Sequence, residues 1–70
     1  MDELEKAFTY QRPTQEQIDS LAEIRSAAFD FARTIERLCP PSADRTVAIR
    51  KVREAVMTAN ASIVLGPIPR

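Results

Sequence analysis

Two adjacent prolines followed by a serine, Pro40-Pro41-Ser42, divide this chain of 70 residues a little past its middle. Proline lacks the N–H that a helix needs and clashes with the preceding turn, so no helix runs through this point. On both sides the apolar residues recur at helical spacing. Before the break stand Ile18, Leu21, Ile24, Ala28, Phe31, Ile35 and Leu38, and from Leu21 onward they advance by three or four, which is one stripe of a helix. A second stripe, Ala22, Phe29 and Ala32, lies beside it. After the break the apolar side is Ala48, Ile49, Val52, Ala55, Val56, Ala59 and Ile63, with alanines that let another helix come close.

The ends are marked as well. Thr14 with Gln17 three residues on has the form of a capping box. Ser42 is a good N-cap, and Asp44 in the following turn suits the helix dipole. Gly66 followed by Pro67 is a stop. The expected class is all-α, an antiparallel two-helix hairpin with helices over about 14–39 and 42–65. Helices of that size are on the order of 33–39 Å long. Residues 1–13 are expected to form an N-terminal arm and 66–70 a flexible tail. Within the arm, Asp2, Glu3 and Glu5 ahead of Lys6 suit one helical turn, and Phe8 to Pro13 reads as an irregular segment. Pro13 biases Arg12 towards an extended backbone.

A hairpin this small is marginal alone. One cysteine forbids an intrachain disulfide, and no histidine or cluster at metal-ligand spacing offers a metal. Oligomerisation is the remaining source of stability. Phe29 and Phe31, two apart and so about 200° around the axis, face different directions, and burying both takes more than one partner.

Ten basic and ten acidic residues cancel, which argues against a protein that grips duplex nucleic acid but not against a ligand with two or three phosphates. The longest uncharged run, Ala55 to Pro69, is too short and polar to cross a membrane. The acidic Met1-Asp2-Glu3 start lacks the form of a signal peptide. These features describe a soluble cytosolic protein without cofactor or metal.

Catalytic chemistry is scarce. No histidine stands ready as a base, and Cys39 at a helix end reads as a small packed thiol. The only glycine is Gly66, so no phosphate-cradling glycine loop exists. Asp19 and Glu23, four apart, read as a solvated face rather than a cation site. The chain is expected not to be an enzyme.

Residues that could bind are few. Tyr10 in the arm can stack on a base or anchor the arm on a helix. Arg25, beside Ile24, Ala28 and Phe29, can fork onto a phosphate or pair with Asp19, Glu23 or Asp30. Asn60 between Ala59 and Ala61 lies near the apolar side; a buried amide there must be satisfied, either by joining two helices or by reading a base edge. Arg50, Lys51 and Arg53 read as a solvated face.

The Phe8-Thr9-Tyr10-Gln11-Arg12-Pro13 arm, Gln17, Ile24-Arg25, the Pro-x-Ser break with Thr46, and the Glu54-Ala55-Val56-Met57-Thr58-Ala59-Asn60-Ala61 run occur in a specific order. In that order and spacing the chain resembles, from about Phe8 to Ile63, a family of small phage proteins that sequester cyclic nucleotide signals of bacterial defence. Its members counter the cyclic-oligonucleotide (CBASS) and the TIR-derived cyclic ADP-ribose (Thoeris) pathways. The resemblance implies a homohexamer built from dimers, acting in the cytoplasm of the infected bacterial host. It implies a cyclic dinucleotide pocket using the arm tyrosine and a basic residue fifteen positions later, here Tyr10 and Arg25. The ring would stack on a base and the cation would meet a phosphate. Arg25 stands eleven residues past Thr14, roughly 16 Å along the helix, so one ligand reaches both most easily between subunits. Separate trinucleotide sites near threefold axes make Arg45 and Thr46, at the start of the second helix, further candidates, alongside Asn60 in a second site or a structural role. Relatives often carry histidine where Gln11 stands and tryptophan where Thr58 stands. The alternatives are a sponge for cyclic ADP-ribose isomers, a helical adaptor for a partner protein, recognisable by an exposed apolar groove and no affinity for nucleotides, or an unrecognised phosphodiesterase.

Overall fold

The computed structural model describes residues 2–9 and 12–66, except for the Lys6 side chain. Three helices follow one another: α1 (Glu3–Phe8), α2 (Gln15–Leu38) and α3 (Ala43–Leu65). The expected single turn near the start is α1, capped by Asp2, whose carboxylate accepts the Glu5 N–H at 2.8 Å. It runs through Phe8, so the irregular segment begins one residue later than the pattern suggests. Thr9 ends it, its hydroxyl donating to the Glu5 carbonyl at 2.6 Å.

The capping box at Thr14 forms in full. The Gln17 N–H donates to the Thr14 hydroxyl at 3.1 Å, and the Thr14 N–H donates to Gln17 Oε1 at 2.8 Å. The other end of the same amide, Nε2, donates to the Ile63 carbonyl at 3.0 Å. One side chain thus starts α2 and ties it to the end of α3, which makes the two helices antiparallel. At the opposite end, Ser42 does double duty: its hydroxyl accepts the Arg45 N–H at 3.1 Å and donates to the Pro40 carbonyl at 3.1 Å. Gly66 closes α3 with φ of 73°, a backbone state that side chains other than glycine rarely adopt, and its N–H donates to the Ser62 carbonyl at 3.0 Å.

α2 and α3 pack along their length. Leu21, Ile24, Ala28 and Ile35 of α2 and Ile49, Val52, Val56, Ala59 and Ile63 of α3 are half-buried. None of the described side chains is fully buried. Ile18, Phe31 and Leu38, read as part of the α2 stripe, stay exposed, because a second helix covers one line of contact and not a broad face. Phe29 and Phe31 are each 57 % exposed. α1 is barely engaged: Leu4 and Phe8 are among the exposed large apolar side chains.

The dimensions agree. The radius of gyration is 15.0 Å, within an envelope of 47 × 24 × 20 Å. A compact chain of this length would have about 11 Å. The accessible surface is 5903 Å² for 7.9 kDa, whereas a compact monomer of that mass exposes roughly 4,400 Å².

Candidate functional site

The hairpin has two sides, and the candidate residues are divided between them and its tip. Arg25, Phe29 and Ala32 follow at four and three residues, so they share one side of α2. Asn60, Arg53 and Ile49 follow at seven and four residues and share one side of α3. A small hollow lined by Phe29, Ala32, Arg33, Glu36 and Ile49 joins the two sets. Arg25 and Asn60 therefore belong to the same side of the molecule.

On that side the charges are used unevenly. Arg33 pairs with Glu36 at 2.7 Å and lies 5.0 Å over the Phe29 ring, so its guanidinium is held by both a carboxylate and a π face. Arg25 is exposed and, among the described residues, has no hydrogen bond or ion pair; Asp19, Glu23 and Asp30 do not reach it. Its five donors remain available for a phosphate or carboxylate. Asn60 presents the opposite situation. It is half-buried, and its Oδ1 is shut away from solvent and meets no hydrogen-bond donor among the described residues. An orphaned buried acceptor is costly, and native proteins keep few of them. Among the described residues no hydrogen bond fills either of the two roles read for this amide.

Arg45 and Thr46 sit at the hairpin tip and are both engaged in holding it. The Arg45 guanidinium donates to the carbonyls of Glu36 and Cys39 at 3.4 and 3.5 Å, covering the otherwise open end of α2. The Thr46 hydroxyl donates to the Ser42 carbonyl at 3.2 Å. Arg25 lies eleven residues before Glu36 in α2, about 16 Å along the axis. The structure does not bring Arg45 and Thr46 together with Arg25. The tie from Arg45 back to α2 was not legible in the sequence, since it depends on the path of the proline turn. Tyr10 lies outside the described residues. Thr58 is exposed and bonds its hydroxyl to the Glu54 carbonyl at 3.1 Å.

On the opposite side α2 and α3 leave an open apolar groove of 610 Å³. Ile24, Phe31 and Ile35 form the α2 lip, and Ala48, Ala55 and Ala59 the α3 lip, with Val52 and Val56 between them. Lys51 is the charged residue among those lining it. Among the described residues no cluster of His, Cys, Asp or Glu could hold a metal ion, and no helix is long and apolar enough to cross a membrane.

The molecule is thus a helical-hairpin binding protein which, among its described residues, has an unpaired cation and an unmet amide on one side and an open apolar groove on the other. Residues 1–64 match the family model described as "Acb2/Tad1, hairpin domain", and the chain belongs to that family. It is the family of anti-CBASS and anti-Thoeris sponges for cyclic nucleotide signals, sequestering proteins not known as enzymes. No curated protein and no solved structure matches the chain.

Proposed function

We propose that this protein is a phage anti-defence sponge that binds a cyclic di- or trinucleotide second messenger, of the cGAMP kind, and holds it intact away from the host CBASS-type effector. It acts in the cytoplasm of the infected bacterium as a homo-oligomer, a hexamer built from dimers. Membership of the family supports the class of ligand, and the free guanidinium of Arg25 is the observation that carries the site. An exposed arginine without an acidic partner, beside apolar surface, is what a phosphate of a small cyclic ligand needs. Tyr10, in the arm of another subunit, stacks on a base. Asn60 turns its amide outward to accept from an exocyclic amine, which gives its Oδ1 the donor it lacks among the described residues. Arg45 and Thr46 stand at a second site at the hairpin tip. The same features suit a cyclic ADP-ribose isomer, whose pyrophosphate and adenine offer the same contacts.

Holding differs from cleaving in what is returned. The protein is incubated with a cyclic dinucleotide, freed of unbound ligand by filtration and heat-denatured. Unmodified ligand is expected in full yield. Linear or hydrolysed product would make the protein a phosphodiesterase instead.

A further inference from the structure

Phe29 and Phe31 are equally exposed and stand two residues apart, yet they meet different surroundings. Phe31 lines the apolar groove. Phe29 lies on the Arg25 side, with a guanidinium over its ring. We infer that Phe29 is a second base platform of the ligand site: the ring face that Arg33 leaves open takes a purine of the same cyclic nucleotide whose phosphate meets Arg25. The inference rests on the sponge reading for the ligand, and on this side of α2 for the residue.

Three observations carry it. First, Arg25, Phe29, Arg33 and Arg37 follow at steps of four and form one ridge of α2, all of them exposed. The ridge combines a ring with cations and holds no carboxylate. That suits an anion with an aromatic face better than it suits the apolar side of another helix. Second, the ring is held in place. Glu36 pairs with Arg33 at 2.7 Å, and that guanidinium lies 5.0 Å from the centre of the Phe29 ring. One face is therefore taken by a cation already neutralised, while Phe29 still keeps 57 % of its surface exposed. A platform fixed before the ligand arrives loses little freedom on binding. Third, the spacing fits a nucleotide. Four residues separate Arg25 from Phe29, about 6 Å along the axis. A nucleotide keeps its phosphate and its base one ribose apart, a span of the same order. Arg25 is unpaired among the described residues, so it takes the phosphate while Arg33 stays on the ring. A cyclic dinucleotide has two bases, and Phe29 takes the one that Tyr10 leaves.

The test is titration calorimetry on the full chain with adenine-bearing probes: cyclic di-adenylate, cyclic tri-adenylate and a cyclic ADP-ribose isomer. Phe29→Leu keeps the apolar bulk and removes the π face. It is expected to weaken binding of whichever probe wild type takes by about ten- to a hundredfold. Phe29→Tyr should restore the affinity, and Phe31→Leu, the same change on the groove side, should leave it unchanged. Sedimentation velocity should show the wild-type assembly for each variant. Phe29→Trp adds a second readout: the chain has no tryptophan of its own, so quenching of the new emission by the probe reports a base on that ring. Wild-type affinity in Phe29→Leu, or equal losses in Phe29→Leu and Phe31→Leu, would overturn the inference and leave the sponge reading in place. Wild type that binds pyrimidine ligands alone would do the same. Dissociation of the Phe29→Leu assembly would also overturn it and make the ring a subunit contact. If Phe29→Leu fails to fold, Phe29→Trp decides, and emission unchanged at saturating probe overturns the inference. Wild type that binds no cyclic nucleotide at all is the separate failure of the sponge reading, and the inference falls with it.

Discussion

Arg25→Ala is expected to weaken binding of a cyclic nucleotide by about 10- to 100-fold while leaving helix content and oligomeric state unchanged. A hydrogen bond to a charged group contributes roughly 1.5–3 kcal/mol, and Arg25 spends none of it on another of the described residues. Because Arg25 is exposed and unpaired among the described residues, its removal costs the fold little. Arg25→Lys should keep part of the affinity, since the charge remains and the two-pronged geometry is lost. Tyr10→Ala should show the same pattern, weaker binding with the oligomer intact, because a base stacked on an aromatic ring contributes about 1–3 kcal/mol. Titration calorimetry with circular dichroism separates the two effects. Unchanged affinity in Arg25→Ala would remove the residue from the site. Dissociation of Tyr10→Ala would make the arm tyrosine an anchor instead.

Asn60→Leu is expected to move stability and binding in opposite directions. Leucine replaces an amide whose Oδ1 is buried without a donor. Removing that acceptor should stabilise the ligand-free protein by about 1–2 kcal/mol. For a domain of this size that raises Tm by roughly 4–8 °C per kcal/mol. Affinity for the ligand should fall, since the acceptor that reads an amine is gone. Such a trade of stability for function is expected where a buried polar group is kept for binding. A lower Tm would mean that Asn60 already has its donor, supplied by a second copy across an interface.

Much of the fold was legible because its punctuation is chemical and local. Pro40-Pro41 can only interrupt a helix, Thr14 and Gln17 can satisfy each other's backbone, and Gly66 accepts the φ that ends α3. Those signals act within a few residues, so they survive without knowledge of the third dimension. The extent of burial was not legible in the same way. The α2 stripe includes Phe31 and Leu38, and periodicity places them towards a partner without saying whether that partner is α3. The structure leaves both exposed. The second uses of Gln17 and Arg45 were hidden for a related reason. Each reaches a carbonyl on another part of the chain, at Ile63 and at Glu36 and Cys39, and such partners depend on the hairpin's register. The candidate residues were legible in part: Arg25 and Asn60 stand out in the sequence as polar residues beside apolar neighbours, whereas the lack of an ion pair at Arg25 among the described residues needed the structure. That they share one side, and that Arg45 lies about 16 Å away at the tip, needed the antiparallel pairing of α2 and α3.

The most direct test of the central claim is a calorimetric titration of the purified wild-type protein with cyclic di-purine and di-pyrimidine nucleotides, cyclic tri-adenylate and cyclic ADP-ribose isomers. A sponge without turnover must bind below the signalling concentration, so saturable binding with Kd near nanomolar, about −12 kcal/mol, is expected for at least one of them at a fixed ratio of ligand to subunit. No heat from any of them, with a protein shown to be folded and assembled, would contradict sequestration and leave a helical adaptor for a partner protein.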